Sequence, residues 1–329
     1  MKTPFFSIVI PTYNRPKELE RAIKSILSQS FKNFEIVISD NHKGSKVSKL
    51  SPLLNNKQIR YYFNDENIGF TRNLYKAIGL AKGEYVFILG DDDWLGNLNL
   101  LENVYQKIKN KGYGYIRVSF LYCSQNNKRY SLFLDQKTNR TLGKNQNSLE
   151  ILDFLDRSVY SSISGLIFKR PASLLIKSIL QSQNPKFEMS DFWVKYLFDA
   201  VRKAGGWIDF EDVIYVSLSQ YESPTFYLLI NNRLPREMVW ELFKNDLSKK
   251  EMKTWIKNET ANFSRMLPSI RYYSSRTNLI AFTKRLLQLN SGLKWEPSFY
   301  FKLFVAVVMP RWLWRWLRAI AINWSTRFL

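Results

Sequence analysis

Short apolar runs alternate with amphipathic segments along the first third of the chain. The runs are rich in β-branched and aromatic residues, which predicts buried strands. The predicted strands are Phe6–Pro11, Phe34–Ser39, Ile59–Phe63 and Tyr85–Leu89. Between them, apolar residues recur at helical spacing in two segments, Leu19–Leu27 and Gly69–Ala81. This alternation with short links predicts an α/β fold in which helices flank a mostly parallel sheet.

A helix start is predicted just after the first strand. Asn14 is a residue type that caps helices, and Pro16 suits the first helical turn. We therefore expect Asn14 to be the N-cap of the first helix.

The pattern changes in the last third of the chain. A final predicted strand, Trp207–Leu218, ends the α/β region. From about Leu234 the sequence is helical in pattern, basic and rich in aromatic residues. We therefore place a boundary between an α/β domain, 1–225, and a helical C-terminal region, 226–329.

The counts of two reactive residue types limit the chemistry. The 329-residue chain has a single cysteine, Cys123, and a single histidine, His42, and neither is assigned a role. One cysteine excludes an internal disulfide and a cysteine-cluster metal site. Met1 to Phe6 leads straight into the first strand without an export signal, so we expect a cytoplasmic protein.

The net charge is strongly positive and unevenly distributed. It is +21 for the whole chain, and Arg265–Leu329 contains eleven Lys or Arg residues and one acid, Glu296. A basic surface suits nucleic acid, an anionic membrane or phosphorylated ligands, and charge alone does not choose among them.

Three consecutive aspartates, Asp91, Asp92 and Asp93, follow the predicted strand Tyr85–Leu89. Carboxylates crowded at the end of a buried strand repel one another unless a cation lies among them. Mg²⁺ and Mn²⁺ prefer such oxygen ligands and commonly share them with phosphate oxygens. Because ligands of open α/β sheets bind at the carboxyl ends of strands, the sequence predicts a metal–diphosphate site here.

Four segments in register resemble the family 2 glycosyltransferases, which have the GT-A fold. The segments are Ser7-Ile-Val-Ile-Pro-Thr-Tyr-Asn14, Phe34-Glu-Ile-Val-Ile-Ser-Asp-Asn41, Asn67-Ile-Gly-Phe-Thr-Arg-Asn73 and Ala81-Lys-Gly-Glu-Tyr-Val-Phe-Ile-Leu-Gly-Asp-Asp-Asp93. The resemblance implies that a sugar passes from a nucleotide diphosphate to an acceptor hydroxyl with inversion at the anomeric carbon. It also implies a nucleotide-sugar half, 1–120, and an acceptor half, 121–225.

The resemblance assigns the nucleoside to the first two strand ends. The loop after the first strand would lie against it, with Pro11, Thr12, Tyr13 and Asn14. Asp40 would bind the base. A carboxylate only accepts hydrogen bonds, so it suits the N3–H of uracil or thymine, which cytosine lacks. We therefore expect a UDP- or dTDP-sugar donor.

The resemblance assigns the diphosphate and its metal to the aspartates. Asp93 and Asp91 would bind Mn²⁺ or Mg²⁺, Asp91 and Asp92 would share contacts with the ribose, and Arg72 would reach the base or the diphosphate. Family members commonly have Leu-Asp-x-Asp-Asp at this place, and here Gly90 replaces the first acid. Which of the three carboxylates contacts the metal therefore stays open.

An inverting displacement needs a base for the acceptor proton. The resemblance places it at a helix start in the second half, where Asp191 is the candidate and Glu188 the reserve. Asp191 as a simple helix cap is the alternative.

The C-terminal segment 299–329 predicts contact with a membrane surface. Phe299–Met309 is apolar apart from Lys302 but shorter than the roughly 20 residues of a spanning helix. Beyond Pro310, a helical wheel separates three arginines from an apolar face that includes Trp324, which is typical of an in-plane interfacial helix. The alternatives are packing on the catalytic domain or on a second subunit.

Together these predictions describe a peripheral enzyme on the inner face of the cell membrane. It would extend a lipid-linked glycan in bacterial surface-polysaccharide assembly. The alternatives are the same fold acting on a soluble or protein acceptor, and a basic nucleic-acid-binding protein, for which no motif is present.

Overall fold

The computed structural model describes residues 3–44, 46–123, 129–130, 139–159, 163–171, 189–217, 247–265, 276–308, 310 and 313. The chain divides into two compact units, Met1–Leu218 and Ser219–Leu329. The predicted domain boundary, between residues 225 and 226, falls outside the described residues and stays a prediction.

Ten strands form one sheet among the described residues of the first unit. They are β1 (Phe6–Thr12), β2 (Phe34–Asp40), β3 (Ile59–Phe63), β4 (Tyr85–Ile88), β5 (Trp94–Leu95), β6 (Tyr115–Cys123), β7 (Arg129–Tyr130), β8 (Arg140–Leu142), β9 (Leu166–Lys169) and β10 (Gly206–Ser217). The main order is β3-β2-β1-β4-β9-β6-β10-β5, and the first four strands of this order are mutually parallel.

Helices flank the sheet and continue into the second unit. The first unit contains α1 (Pro16–Leu27), α2 (Ser51–Leu54), α3 (Phe70–Leu80), α4 (Leu100–Ile108), α5 (Ser148–Val159) and α6 (Met189–Ala204). The second contains α7 (Lys249–Arg265), α8 (Arg276–Leu289) and α9 (Pro297–Val308). The predicted α/β class is confirmed.

One antiparallel strand inside the sheet determines where the site can form. β9 lies between β4 and β6 and is antiparallel to both. The chain therefore enters β9 from the carboxyl end of β4, after a turn in which Gly165 has a φ of +85°. Ser164, just before this turn, is thereby placed beside the residues that follow β4.

The core explains why β1, β2 and β4 are nearly continuous apolar runs. Helices α1 and α4 share one buried cluster with strand residues that include Ile8, Ile36 and Phe87. Helix α3 packs against β1 and β2 and buries Leu74 and Ile78. A sheet covered by helices needs apolar side chains along its strands, and polar residues are then concentrated at the strand ends.

The predicted helix cap at Asn14 is wrong. Helix α1 begins at Pro16, and Arg15 occupies the N-cap position without a side-chain capping bond. Asn14 has a φ of 54°, and its Oδ1 accepts a hydrogen bond from the Lys46 N–H at 3.2 Å. Asparagine tolerates this left-handed conformation, and its side chain tethers the turn after β1 to the 3₁₀ helix Lys46–Leu50.

The second unit has its own small core and an apolar helix. Leu279, Leu286 and Leu293 are buried together with Phe299 and Ala306 of α9. None of the helices in the described part of the chain has the length and apolar character needed to cross a membrane.

Candidate active site

The ends of β1, β2 and β4 bring the predicted donor residues to one edge of the sheet. Thr12 and Asp40 are register partners at the ends of β1 and β2. On the other side of β1, the Thr12 Oγ1 donates to Asp91 Oδ2 at 2.7 Å. The sheet therefore brings together three of the positions that the sequence assigned to the donor.

Asp91 is a buried carboxylate whose two oxygens both accept hydrogen bonds. Besides the Thr12 bond, Asp91 Oδ1 accepts from an Arg15 guanidinium nitrogen at 3.2 Å. Burial raises the pKa of Asp91 to about 6, although the Thr12 bond and the Arg15 charge lower it. Ionising this carboxylate therefore costs free energy that a further cation would offset.

Arg15 bridges two of the three aspartates. The same Arg15 nitrogen lies 3.2 Å from Asp91 Oδ1 and 3.2 Å from Asp92 Oδ2. Sequence reasoning missed this residue, because the position after Asn14 shows a basic side chain but not the direction in which it folds back. The positive charge of Arg15 offsets part of the repulsion that the sequence predicts among the aspartates.

The side chain of Asp93 is hydrogen-bonded to a serine that precedes β9. Its buried carboxylate accepts a hydrogen bond at Oδ2 from the Ser164 hydroxyl. The same hydroxyl oxygen accepts from the Gly90 N–H at 2.7 Å. Asp93 N–H also donates to Gly90 O at 3.2 Å, which closes the turn of the aspartates.

The segment after Asp93 is anchored across the sheet. Strand β5 pairs antiparallel with β10, with Leu95 opposite Ile214. The Arg21 guanidinium stacks on the Trp94 ring, with its carbon 3.9 Å from the ring centroid. The aspartates thus lie between two strands of the sheet, β4 before them and β5 after them.

Asp40 is fully buried and has one oxygen without a hydrogen bond. Its Oδ2 accepts from the Tyr61 hydroxyl at 2.9 Å, whereas its Oδ1 has no hydrogen-bond partner in the described part of the chain. Burial and then the bond to Asp40 raise the pKa of Tyr61, so Tyr61 stays a donor over the working pH range. The remaining acceptor of Asp40 is therefore Oδ1.

Four asparagines connect the third family segment to the strand ends. Asn73 Nδ2 donates to Ser39 O at 2.8 Å, and Asn64 Nδ2 donates to Asn73 Oδ1 at 2.9 Å and to Asn41 Oδ1 at 3.0 Å. Asn41 Nδ2 in turn donates to Asn67 Oδ1 at 2.6 Å. The loop before α3 is thus fixed to β2, which explains the asparagines that the sequence showed without giving their role.

The other predicted donor residues differ in exposure. Pro11 is buried and pairs with Ser39, while Tyr13 is half-exposed and its ring makes an edge contact with His42, with centroids 5.7 Å apart. Arg72 is exposed on α3 and makes no hydrogen bond or ion pair with the described residues.

The two candidate bases are less fully described. Asp191 lies in the first turn of α6, and its side chain is outside the described part of the structure. Glu188 is outside the described residues altogether. Both assignments stay predictions.

The donor set fits a hard cation only when a ligand supplies further oxygens. In the described portion of the chain, no group of three or more His, Cys, Asp or Glu residues is arranged to hold a metal ion. The aspartates offer carboxylate oxygens alone, which suit Mg²⁺ or Mn²⁺, and Mg²⁺ sites with one or two carboxylates are completed by water and phosphate. The residues therefore fit a cation that arrives with a diphosphate.

Comparison with known proteins finds a family match in the first part of the chain. Residues 7–160 match the family model for Glycosyl transferase family 2. An uncharacterized glycosyltransferase of Rickettsia typhi is 29% identical over 271 residues, which cover 79% of this chain and 78% of that protein.

Two further comparisons concern a named enzyme and a solved structure. The GalNAc(5)-diNAcBac-PP-undecaprenol beta-1,3-glucosyltransferase of Campylobacter jejuni is 35% identical over 116 residues, or 34% of this chain and 37% of that enzyme. The crystal structure of S. aureus TarS 1–349 with UDP-GlcNAc superposes with a TM-score of 0.52 over 92% of this chain and 90% of that one. At 15% identity this likeness concerns the fold alone.

Proposed function

We propose that this chain, whose residues 7–160 match the family model for Glycosyl transferase family 2, transfers a sugar from a nucleotide diphosphate to a hydroxyl of a lipid-linked glycan, with inversion. That it is a glycosyltransferase with a GT-A fold follows from the family and the fold. The finer proposal depends on one observation: Thr12, Asp40, Asp91 and Asp93 converge at a single sheet edge.

Asp40 is the proposed base-reading residue. With Oδ2 occupied by Tyr61, its buried Oδ1 accepts the N3–H of uracil or thymine. Tyr13 offers an exposed ring face beside it for the nucleoside. A UDP- or dTDP-sugar is therefore the proposed donor, and the UDP-GlcNAc in the TarS structure supports the uridine form.

The aspartates and Arg72 are the proposed diphosphate site. Asp93 and Asp91 would hold Mn²⁺ or Mg²⁺, Asp92 would contribute to the ribose contacts, and the exposed guanidinium of Arg72 would bind the base or the diphosphate. A cation bound there supplies Lewis-acid neutralisation of the departing diphosphate. Asp191, with Glu188 as the reserve, is the proposed base that takes the acceptor proton.

A donor panel tests this proposal. UDP-, dTDP-, CDP- and GDP-sugars are incubated with Mn²⁺ or Mg²⁺, and the release of nucleotide is measured. We expect release from uridine or thymidine donors only. Asp40→Asn should weaken UDP binding about tenfold, because a neutral amide replaces a charged acceptor. Asp65→Asn, at an exposed carboxylate, is the control. Equal use of CDP-sugars would contradict the role of Asp40.

We also propose that the second unit binds an anionic membrane surface. The face of α9 opposite its buried residues exposes Phe301 (69%) and Phe304 (63%), and Trp295 just before the helix is 86% exposed. A helix that is apolar on both sides needs a second apolar environment. The excess of Lys and Arg in Arg265–Leu329 favours anionic lipid as that environment.

The lipid-linked acceptor is consistent with this location. The Campylobacter relative is named for a glycan carried on undecaprenol diphosphate, and a membrane-bound enzyme would meet such an acceptor in the bilayer plane. An acceptor assay with lipid-linked and water-soluble glycans distinguishes the two classes. Faster transfer to the soluble glycan would favour the alternative acceptor.

Vesicle sedimentation tests the membrane proposal. The wild-type chain should pellet with phosphatidylglycerol vesicles and much less with phosphatidylcholine vesicles. The double change Phe301→Ser and Phe304→Ser should reduce pelleting about tenfold or more, since two large apolar side chains leave the interface. Ile280→Ser removes an exposed apolar side chain of α8 and is the matched control. Unchanged pelleting of the double variant would exclude α9 as the contact.

A further inference from the structure

Ser164 connects the two residues that border the aspartate turn. Its hydroxyl accepts a hydrogen bond from Gly90 N–H at 2.7 Å and contacts Asp93 Oδ2. A hydroxyl has one proton, and the amide already acts as a donor, so the serine proton points to the carboxylate. The direction of both bonds is therefore fixed: Gly90 to Ser164 to Asp93.

The serine itself is held rigidly. Its carbonyl accepts from the buried Arg117 guanidinium at 2.7 Å, and the next residue, Gly165, donates to Ile88 O at 3.0 Å. Val118 N–H donates to Gly165 O at 3.0 Å. These bonds join Ser164 to the strands on both sides, β4 and β6, so its hydroxyl cannot move far without breaking strand contacts.

Gly90 leaves space for this arrangement. A Cβ added at Gly90 would lie 2.9 Å from Asp93 Oδ2 and 3.2 Å from Ser164 Oγ. The first distance is shorter than real Cβ contacts allow, so a side chain at this position would displace the Asp93 carboxylate. This gives a physical reason for the departure from the acidic residue that family members commonly have here.

We propose that Ser164 is the positioning residue of Asp93, holding its carboxylate in the one orientation in which it binds the donor's cation. The proposal rests on the metal assignment made above. Ser164 lies beyond the segment 7–160 that matches the family model. Outer-shell partners of this kind typically change metal affinity by about 10- to 100-fold.

The other end of β4 supplies a matched control. Ser7 accepts from Gly83 N–H at 2.7 Å and donates to Glu35 Oε1 at 2.6 Å, and it is as fully buried as Ser164. Ser7→Ala and Ser164→Ala therefore remove the same two kinds of hydrogen bond from opposite ends of one strand. Only the second removes them from the proposed metal ligand.

The test measures Mn²⁺ binding rather than activity. Free Mn²⁺ is titrated by electron paramagnetic resonance in the presence of saturating UDP, and thermal unfolding is recorded for each variant. We expect both alanine variants to lose stability. Ser164→Ala should weaken Mn²⁺ binding about 10- to 100-fold, and Ser7→Ala should keep the wild-type affinity within about twofold.

Ser164→Cys keeps nearly the same volume with a weaker donor and guards against a variant that does not fold. Its Mn²⁺ affinity should lie between those of the wild type and Ser164→Ala. Wild-type affinity in Ser164→Ala, or an equal loss in Ser7→Ala, would overturn the positioning role while leaving the metal site standing. A wild-type chain that binds UDP but no Mn²⁺ would instead overturn the metal assignment, and this proposal with it.

Discussion

The two ends of β4 carry the same chain of hydrogen bonds, from a glycine N–H to a serine hydroxyl to a carboxylate. The charge of that carboxylate is neutralised at one end and less completely at the other. At the amino end Gly83, Ser7 and Glu35 are linked by hydrogen bonds, and at the carboxyl end Gly90, Ser164 and Asp93 are linked in the same order. An added Cβ would lie 2.7 Å from the Ser7 backbone nitrogen at Gly83 and 2.9 Å from Asp93 Oδ2 at Gly90, so a neighbouring group would have to shift at either position. The local geometry alone therefore does not distinguish structure from function.

The two ends differ in how the negative charge of the carboxylate is neutralised. Glu35 Oε2 accepts from the Arg60 guanidinium at 2.9 Å, and Arg60 also bonds Leu80 O at 2.8 Å and Tyr62 Oη at 2.6 Å. At the other end Arg15 pairs with two of the three aspartates, Asp91 and Asp92, and burial raises the pKa of Asp91 to about 6. The amino end is a closed structural network, and the carboxyl end has charge that suits a further cation.

The largest expected difference comes from neutralising one carboxylate at each end. Asp93→Asn should lower donor turnover by at least about a hundredfold, because a metal ligand supplies several kcal/mol of transition-state stabilisation. Glu35→Gln should leave turnover per folded molecule within about twofold and reduce the free energy of unfolding by about 1–3 kcal/mol. Steady-state kinetics and urea unfolding measure both. Near wild-type turnover in Asp93→Asn would contradict the assignment of Asp93 as a metal ligand.

The two arginines should separate stability from metal binding. Arg60→Gln leaves the buried Glu35 without its cation and should cost about 2–3 kcal/mol of unfolding free energy. Arg15→Gln removes a half-exposed side chain and should cost less than about 1 kcal/mol.

The same Arg15→Gln variant should bind Mn²⁺ roughly five- to tenfold more tightly in the presence of saturating UDP, since a positive charge near the site is removed. Lys17→Gln, in the first turn of α1, controls for net charge. A metal affinity that is weaker in Arg15→Gln would mean that Arg15 supports the site rather than competing with the cation.

The last expected effect is a pH dependence of stability. The pKa of Asp91 is raised above its unfolded value by burial, so the folded state binds this proton more tightly than the unfolded state does. Its contribution to stability is therefore present at about pH 4 and is lost as the pH rises through about 6.

Asp91→Asn removes that loss and should raise the free energy of unfolding by about 1–2 kcal/mol at pH 7.5, with little change at pH 4. Asp65→Asn, at an exposed carboxylate 3.0 Å from Lys43 Nζ, should change stability by less than about 0.5 kcal/mol at either pH. An Asp91→Asn variant that is less stable at pH 7.5 would contradict the cost assigned to burial.

The sequence predicts most of the donor edge and little of what supports it. The hydrophobic pattern locates both ends of β1, β2, β3 and β4 to within one residue, and parallel pairing then brings Thr12, Asp40 and Asp91 together. These follow from local pattern and from the rule that parallel strand ends meet at one edge.

The supporting residues depend on contacts between distant segments. Ser164 reaches Asp93 only because β9 runs antiparallel into the sheet, and Tyr61 reaches Asp40 across the β2–β3 pairing. The sequence around Ser164 or Tyr61 does not predict these hydrogen-bond partners. The cap predicted at Asn14 is wrong for the same reason. The Asn14 side chain accepts a hydrogen bond from the N–H of Lys46, which lies beyond both α1 and β2 in the sequence.

The anchoring of the aspartate segment by β5, Ser164 and β10 has a consequence for biosynthesis. Residues 91–93 leave the ribosome well before Ser164 and before Ile214, the residue opposite Leu95. At synthesis rates of about 5–20 residues per second, the nascent chain spends several seconds with its aspartates made but unanchored. Translation must therefore pass Ile214 before both of these anchors of the aspartate segment can form.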